Sequence, residues 1–283
     1  MIKIVTDTTS SFTNEEYRKY GIIPVPLYIR EGDSSKKEML EISYEEFYSK
    51  QRAGSKFTTS QPDPNSFLEA FRPIIESGDE VICVTISTGI SGTLNSAYLA
   101  KQMLDTDRIS FVDSYQSGLN QGAMALKAVE LAAAGKSREQ IVAFLEGMRK
   151  RTRVYLVVES LRYLYEGGRL NGAQALIGSM IQIKPVVWFD DKGIMGTFEK
   201  VRTLKNAQSR VLELFKNDIA KLGLEHVGLH YGDNKEEAES YAKELEAIAG
   251  QPVPLVRLSP VIGTHTGPDI LGVCFTTQKS FWD

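Results

Sequence analysis

The chain has 283 residues, of which 42% are hydrophobic and 24% are charged. This balance is typical of a soluble globular protein and differs from that of a disordered, fibrous or membrane-embedded chain. The length exceeds the roughly 100–200 residues of a usual domain, so we expect two packed domains. The formal net charge of −3 gives no field that attracts nucleic acid or an anionic membrane, and we expect neither as a partner.

The first half of the sequence alternates strand patterns with helix patterns. The predicted strands are Ile2–Thr6, Ile22–Ile29, Val81–Ser87 and Ile109–Val112. Apolar residues at helical spacing fill the intervals, as from Phe67 to Ile75, and two further helices are predicted at about 120–134 and 138–150, the second with Ser137 as N-cap and Gln140 closing a capping box. This alternation predicts a three-layer α/β/α domain on a mostly parallel sheet.

The second half has a different texture, with more strands and two long helices. The predicted strands are Tyr155–Glu159, Val186–Phe189, Gly196–Arg202, His226–Tyr231, Val253–Leu258 and Ile270–Thr276, and the helices cover about 205–222 and 235–249. This pattern predicts a two-layer α/β domain. We place the boundary near Arg151–Arg153, which gives domains of residues 1–152 and 153–283 with a cleft between them.

The sequence also indicates where the protein resides. Its N-terminus enters a strand directly, without the basic and apolar regions of a signal peptide, and no apolar run approaches the ~18 residues of a membrane span. Cys83 and Cys274 lie inside apolar strand-like runs, where cysteine acts as a small hydrophobic residue rather than as a disulfide or metal ligand. We expect a cytoplasmic protein without stable membrane insertion.

The clearest candidate site follows the strand that ends at Ser87. A turn rich in glycine and hydroxyl groups, with Ser91, Gly92 and Thr93, leads into a helix. Free N–H groups at a helix start favour an anion, and the turn lacks the lysine of a P-loop, so a carboxylate fits better than a nucleoside triphosphate. The alternative is that Ser91 or Thr93 only caps the helix.

Two more hydroxyl-rich segments support a site. Thr59 and Ser60 precede Gln61-Pro62 and a predicted helix, and the first strand runs into Asp7-Thr8-Thr9-Ser10-Ser11. In open α/β sheets ligands collect beyond the carboxyl ends of the strands, where such loops converge. Each segment alone is also explained by ordinary turn chemistry.

A histidine in the C-terminal half is a further candidate. His265 lies within Ser259–Asp269, where glycines and prolines predict a tight loop around it. It has the chemistry to donate a hydrogen bond or a proton to an oxyanion, although a lone histidine is more often structural. His226 and His230 would share a strand face, but no third ligand completes a metal site, so we predict none.

Two other patterns permit alternatives. Ser91, His265 and Asp113 are the residue types of a hydrolytic triad, yet the turn around Ser91 does not match the G-x-S-x-G nucleophile elbow. Gly167-Gly168-Arg169 after Leu161–Leu164 is either an ordinary helix end or a means of exposing a cation to a charged partner.

Taken in order, these segments resemble the DegV family of bacterial fatty-acid-binding proteins over essentially the whole chain. The resemblance rests on Asp7 with Ser10-Ser11, Thr59-Ser60-Gln61-Pro62, Ser87 with Ser91-Gly92-Thr93 and Ser96-Ala97, Val112-Asp113-Ser114, Leu161–Leu164 with Gly167-Gly168-Arg169, Lys184-Pro185, and Gly263–Pro268. No single motif is diagnostic, but their order and spacing are specific.

The resemblance implies a function and assigns residues to it. It implies that a long-chain fatty acid is the ligand, without a cofactor, and that its carboxylate lies at the interdomain cleft, held by Thr59 with Ser60, by Ser91 with Gly92 and Thr93, and near His265. It implies that a separate fatty acid kinase, which forms an acyl phosphate for phospholipid synthesis, is the partner. Arg169 and Arg202 look like the arginines of the kinase-facing surface.

One departure from the family pattern concerns Asp269. The family loop usually reads H-x-G-P-G, and Asp269 replaces its final glycine. If that position has a positive φ, aspartate carries a conformational cost there. It also adds a negative charge near the expected head group, so the resemblance supports lipid binding more directly than kinase coupling.

The sequence leaves three functional hypotheses open. The first is an acyl carrier that has no ATP site of its own, in keeping with the absence of Walker, kinase and G-x-G-x-x-G signatures. The second is an enzyme that uses the same cleft, either a phosphotransferase of the dihydroxyacetone kinase kind or a hydrolase with Ser91 and His265. The third is a protein that only sequesters or transports lipid.

Overall fold

The computed structural model describes residues 1–171 and 183–282. In these ranges the strands are β1 (Ile2–Asp7), β2 (Ile23–Val25), β3 (Tyr28–Glu31), β4 (Ser34–Lys37), β5 (Thr58–Ser60), β6 (Glu80–Thr85), β7 (Ile109–Asp113), β8 (Thr152–Val158), β9 (Val186–Phe189), β10 (Met195–Glu199), β11 (His226–Tyr231), β12 (Leu255–Arg257) and β13 (Ile270–Thr276). The helices are α1 (Asn14–Tyr20), α2 (Tyr44–Arg52), α3 (Pro64–Glu76), α4 (Thr93–Leu104), α5 (Gly118–Ala133), α6 (Arg138–Arg149), α7 (Arg162–Glu166), α8 (Leu204–Leu222), α9 (Lys235–Ala249) and α10 (Pro260–Thr266).

The first half of the chain forms a parallel sheet with helices on both faces. Its strand order is β2-β1-β6-β7, and every neighbouring pair is parallel. Consecutive residues of β6 point to opposite faces, so Val81 and Cys83 pack with α3 and α4 whereas Ile82 and Val84 pack with α5 and α6. The predicted three-layer arrangement is confirmed, as is the capping box of Ser137 and Gln140 at the start of α6.

The second half forms a separate mixed sheet of order β10-β9-β8-β13-β11-β12. Helices α8 and α9 cover one face, as the two-layer prediction requires. The opposite face packs against α7, α10 and Leu119 of α5, so it meets the first half of the chain. The mixed α/β fold is therefore confirmed, while the division into domains 1–152 and 153–283 stays a prediction.

Two predicted segments differ from the structure. Ile22–Ile29 is not one strand, because β2 ends at Val25 and β3 pairs with β4 and β5 in a small antiparallel sheet. Pro26 lies between them, and a proline lacks the N–H that a continuous strand would use. Thr58–Ser60, expected in a loop after the parallel sheet, is instead strand β5 of this small sheet.

The structure contains no helix, within the residues it describes, that is both long enough and apolar enough to cross a membrane.

Candidate carboxylate-binding site

A cavity of about 70 Å³ lies where the two halves of the chain meet. Polar groups reach it from β5, from the turn after β6, from the N-cap of α5, from the segment after α7 and from α10; they belong to Thr59, Ser60, Gln61, Ser91, Gly92, Ser117, Arg169, His265 and Thr266. Its apolar walls come from Leu27, Ile86, Ile90, Leu164, Met195, Val261 and Ile262. Five of the six predicted carboxylate-binding residues thus line one cavity, and the sixth, Thr93, lies just behind it.

The turn after β6 brings Ser91 to the cavity wall. The Ser91 and Thr93 hydroxyl oxygens are 2.9 Å apart, and the Thr93 amide donates weakly to Ser91 Oγ over 3.4 Å. The N-cap residue of α4 is Gly92, which makes no side-chain cap. Ser91 is therefore not a simple helix cap, and its hydroxyl is half-buried at the cavity.

Gln61 is a cavity residue to which the sequence assigned no role. Its Nε2 donates to Ser96 Oγ at 2.9 Å, which joins the segment after β5 to the first turn of α4. A Cβ on Gly92 would lie 2.1 Å from Gln61 Oε1, although the φ of Gly92 is −84°. The backbone angle of position 92 does not require glycine, and a larger residue there would have to displace the Gln61 side-chain amide.

His265 contacts the first half of the chain directly. Its Nε2 lies 2.8 Å from Thr59 Oγ1, a contact between residues 206 positions apart. Burial, with a smaller contribution from the positive charge of Arg169, lowers the pKa of His265 to about 4, so the ring is neutral at pH 7. Its Nδ1 is buried without a hydrogen-bond partner among the described residues.

The backbone around His265 differs from the predicted tight loop. The segment is helix α10, with Pro260 in its first turn and His265 in its last, and it ends at Gly267 with φ +80°. Proline suits the first turn of a helix because its missing N–H has no partner there in any case. Gly167 makes room for the ring, since a Cβ at that position would lie 2.2 Å from His265 Nδ1.

Arg169 supplies a positive charge at the cavity. Its Nε donates to Ile90 O at 3.2 Å and its Nη1 to Gly167 O at 2.6 Å, and the side chain is half-buried. The sequence predicted only a partner-facing role for it. Arg202, the other predicted partner-facing residue, is exposed between β10 and α8 and is not part of the cavity lining.

Asp269 does not act on the cavity as expected. Its carboxylate accepts hydrogen bonds from Arg52 at 2.7 and 3.3 Å, and it is not among the lining residues. The positive-φ positions of non-glycine residues in the described ranges are Ser11, Met39, Asp105 and Tyr115, so the expected backbone cost does not arise. The departure from the family pattern is therefore accommodated by an ion pair with α2.

Among the residues that the structure describes, Ser91, His265 and Asp113 do not form a hydrolytic relay. The hydrogen-bond partner of His265 Nε2 is Thr59, and Asp113 accepts from the backbone and side chain of Thr88. His230 is also structural, because its Nε2 accepts from the Leu119 amide at 2.8 Å. Within the described ranges, no group of three metal-ligating side chains is close enough to hold an ion.

The fold and the cavity together define the class of this protein: a mixed α/β protein whose internal cavity combines hydroxyl, imidazole and guanidinium groups with apolar walls. A family model described as an uncharacterised protein of the DegV family matches residues 1–278. The chain belongs to the DegV family, as its motifs predicted.

Three individual proteins illustrate the similarity. A DegV domain-containing protein of Listeria innocua is 38% identical over 280 residues, which cover 98% of this chain and 99% of the relative. The crystal structure of DegV from Bacillus subtilis, described as a fatty acid binding protein, has a TM-score of 0.88 at 36% identity, with 98% of this chain and 99% of that chain covered. A stearic acid-binding protein of Eubacterium ventriosum has a TM-score of 0.89 at 27% identity and the same coverage.

Proposed function

We propose that this protein binds a long-chain fatty acid and presents it to a separate fatty acid kinase. The observation that carries the proposal is the convergence of Thr59, Ser91, Arg169 and His265, from distant parts of the sequence, on one cavity with apolar walls. Solved relatives of this fold are described as fatty acid-binding proteins, one of them with stearic acid.

The polar groups suit a carboxylate because most of them can donate. When the neutral His265 ring carries its proton on Nε2, it donates to Thr59 Oγ1, and the Thr59 hydroxyl hydrogen is then free for the ligand. Ser91 offers a second hydroxyl, and Arg169 supplies the opposite charge. Hydrogen bonds to a charged acceptor are roughly twice as strong as neutral ones, so these few groups suffice to fix one end of the molecule.

The apolar part of the ligand supplies most of the affinity. Each buried methylene contributes ~0.8 kcal/mol, so a long chain binds tightly if it is removed from water. The cavity of about 70 Å³ has room for the head group and only the first carbons. Binding of the whole chain therefore needs apolar space beyond this cavity.

A carrier accounts for the site better than an enzyme does. In the described part of the chain, the hydroxyl of Ser91 pairs with Thr93 rather than with a general base, and His265 Nε2 is engaged with Thr59. The family resemblance adds a separate kinase as the partner, with Arg169 at the cavity and Arg202 on the surface as contacts for it. We also propose that the protein is cytoplasmic. A lipid-sequestering protein would use the same cavity and is separated from a carrier by whether a fatty acid kinase forms acyl phosphate from the bound lipid.

The first test is native mass spectrometry of the purified protein, followed by extraction and identification of any bound molecule. We expect a stoichiometric fatty acid. The double variant Thr59→Ala, Ser91→Ala should lose it while remaining folded, whereas Thr58→Ala, an exposed threonine on the same strand, should retain it. A wild-type protein that carries no lipid and binds no added stearic acid would refute the proposal.

A further inference from the structure

The turn that carries Ser91 is organised around Ser87. The amides of Ile90 and Ser91 donate to Ser87 O at 3.2 and 3.1 Å, and the Gly89 amide donates to Ser87 Oγ at 3.1 Å. Ser87 is fully buried and is not among the residues that line the cavity. The backbone of the Ser91 turn is thus held by the main chain and the hydroxyl of a residue that does not line the cavity.

A second segment, from the other half of the chain, holds the same turn. The hairpin turn between β9 and β10, residues Asp190–Ile194, places Gly193 O as the acceptor of the Ser87 hydroxyl at 2.6 Å. The two backbones touch, because a Cβ on Gly89 would lie 2.1 Å from Gly193 O. The side chain of Asp190 fixes the hairpin turn by accepting from the amides of Lys192 and Ile194, each at 2.9 Å.

Gly193 allows this approach for two reasons. Its φ is +71°, a backbone conformation that residues with side chains rarely adopt. A Cβ at this position would also lie 2.3 Å from Ser87 Oγ and 2.9 Å from Tyr115. Met195, two residues after Gly193 and the first residue of β10, lines the cavity itself. The hairpin therefore reaches both the cavity wall and the residue that shapes the Ser91 turn.

We propose that Ser87 is a positioning residue for carboxylate recognition: its hydroxyl fastens the Ser91 turn to the Asp190–Ile194 hairpin turn, so that the mixed sheet determines where Ser91 stands. The inference rests on the proposed fatty acid binding. A serine hydroxyl can donate to Gly193 O and accept from the Gly89 amide at the same time, and alanine can do neither. Loss of the hydroxyl removes the acceptor of the Gly89 amide and leaves the buried Gly193 carbonyl without this donor.

The test compares two ligands that share a chain and differ in the head group. We expect Ser87→Ala to weaken the binding of stearic acid by roughly tenfold, measured as Kd, because a misplaced turn loses a hydrogen bond to a charged group. The affinity for 1-octadecanol, which has no carboxylate, should change by less than about twofold, since its apolar contacts persist. A purely structural role would weaken both ligands equally.

Two glycine variants of the hairpin complete the experiment. Gly193→Ala disturbs the same Ser87–Gly193 contact from the hairpin side, and it should also weaken stearic acid binding selectively. If Ser87→Ala does not fold, this variant tests the positioning role in its place. Gly196→Ala, on the same hairpin with nothing within 4 Å of the added Cβ, should bind both ligands as the wild type does.

The results separate the positioning role from the function on which it rests. Equal weakening of acid and alcohol, or no weakening, in a folded Ser87 or Gly193 variant overturns the positioning role while the proposed function stands. A wild-type protein that does not bind stearic acid overturns both.

Discussion

Two neighbouring polar clusters of this protein have opposite hydrogen-bonding states. The carboxylate cluster, formed by Asp7, Thr8, Thr9 and Glu38, is buried and saturated: Asp7 accepts from the Ile86 amide at 2.8 Å, and Glu38 accepts from the Val261 amide at 2.9 Å and from the Thr8 hydroxyl. In the cavity, by contrast, the buried Nδ1 of His265 has no partner among the described residues.

The difference separates a supporting role from a binding role. Ile86 and Val261 line the cavity, and their backbone amides donate to the acids of the carboxylate cluster. The cluster therefore stabilises the cavity wall. Buried acids without a neutralising cation are costly and persist where such hydrogen bonds compensate them. In the cavity, the Thr59 and Ser91 hydroxyls and the Arg169 guanidinium can donate to an anionic ligand, whereas Nδ1 of a ring protonated on Nε2 is an acceptor that an anion does not complete. The predictions below test this contrast, beginning with the largest expected effect.

Removal of Glu38 should break the supporting cluster. Glu38→Ala leaves the Val261 amide and the Thr8 hydroxyl without their acceptor in a buried site, and we expect the free energy of unfolding to fall by about 3 kcal/mol. Urea denaturation measures this change. Glu69→Ala, at an exposed position of α3, should stay within about 0.5 kcal/mol of the wild type. Equal stability of the two variants would contradict a supporting role for Glu38.

The same carboxyl should make stability depend on pH. Burial, reinforced by the charge of Asp7 and opposed by hydrogen bonds, raises the pKa of Glu38 from 4.5 to about 7. Between these values the unfolded chain has lost the proton that the folded protein still holds, so stability falls as pH rises across this window. The full effect of this group is about 3 kcal/mol.

Glu38→Gln removes the titration and keeps the shape. Denaturation at a series of pH values from 4.5 to 7 should give a flatter stability profile for this variant than for the wild type. Burial also raises the pKa of Asp7, which leaves a slope of the same sign in both proteins. Identical profiles would show that Glu38 does not titrate in this range.

Displacement of His265 should weaken ligand binding more than it weakens the fold. Gly167→Ala adds a Cβ that would lie 2.2 Å from Nδ1, so the ring must leave its present position and the contact of Nε2 with Thr59 is disturbed; we expect roughly tenfold weaker stearic acid binding. Gly147→Ala, at an exposed position of α6 with open space around the added Cβ, is the matched control. It should keep the affinity and add about 0.5–1 kcal/mol of stability.

The charge of Arg169 should have the smallest effect. Because this side chain is only half-buried, solvent and salt screen its charge, and we expect Arg169→Gln to weaken stearic acid binding only by roughly threefold at low salt. The difference from wild type should shrink as salt is added. Arg162→Gln, which removes an exposed arginine paired with Glu166 on α7, should bind normally. A salt-independent loss in Arg169→Gln would indicate a packing effect instead.

The sequence predicted most of the fold because its signals are local. Alternating strand and helix patterns and the Ser137 capping box depend on residues within a few positions of one another. It failed at Ile22–Ile29, where an apolar run spans two strands of different sheets, because the pairing partner of a strand is not encoded in its own periodicity. It failed again around His265, where the glycines and prolines predicted a tight loop and the structure has a short helix.

The sequence by itself determined the family, the three-layer and two-layer architecture, and the residue types of the candidate site, since motifs and periodicities are properties of the chain. Only the tertiary structure decided that Thr59 meets His265, that Arg169 reaches the cavity, that the Gln61 amide lies beside Gly92, and that Asp269 pairs with Arg52 away from the cavity. Contacts across up to 217 residues depend on how the two halves pack, and no local pattern records that geometry.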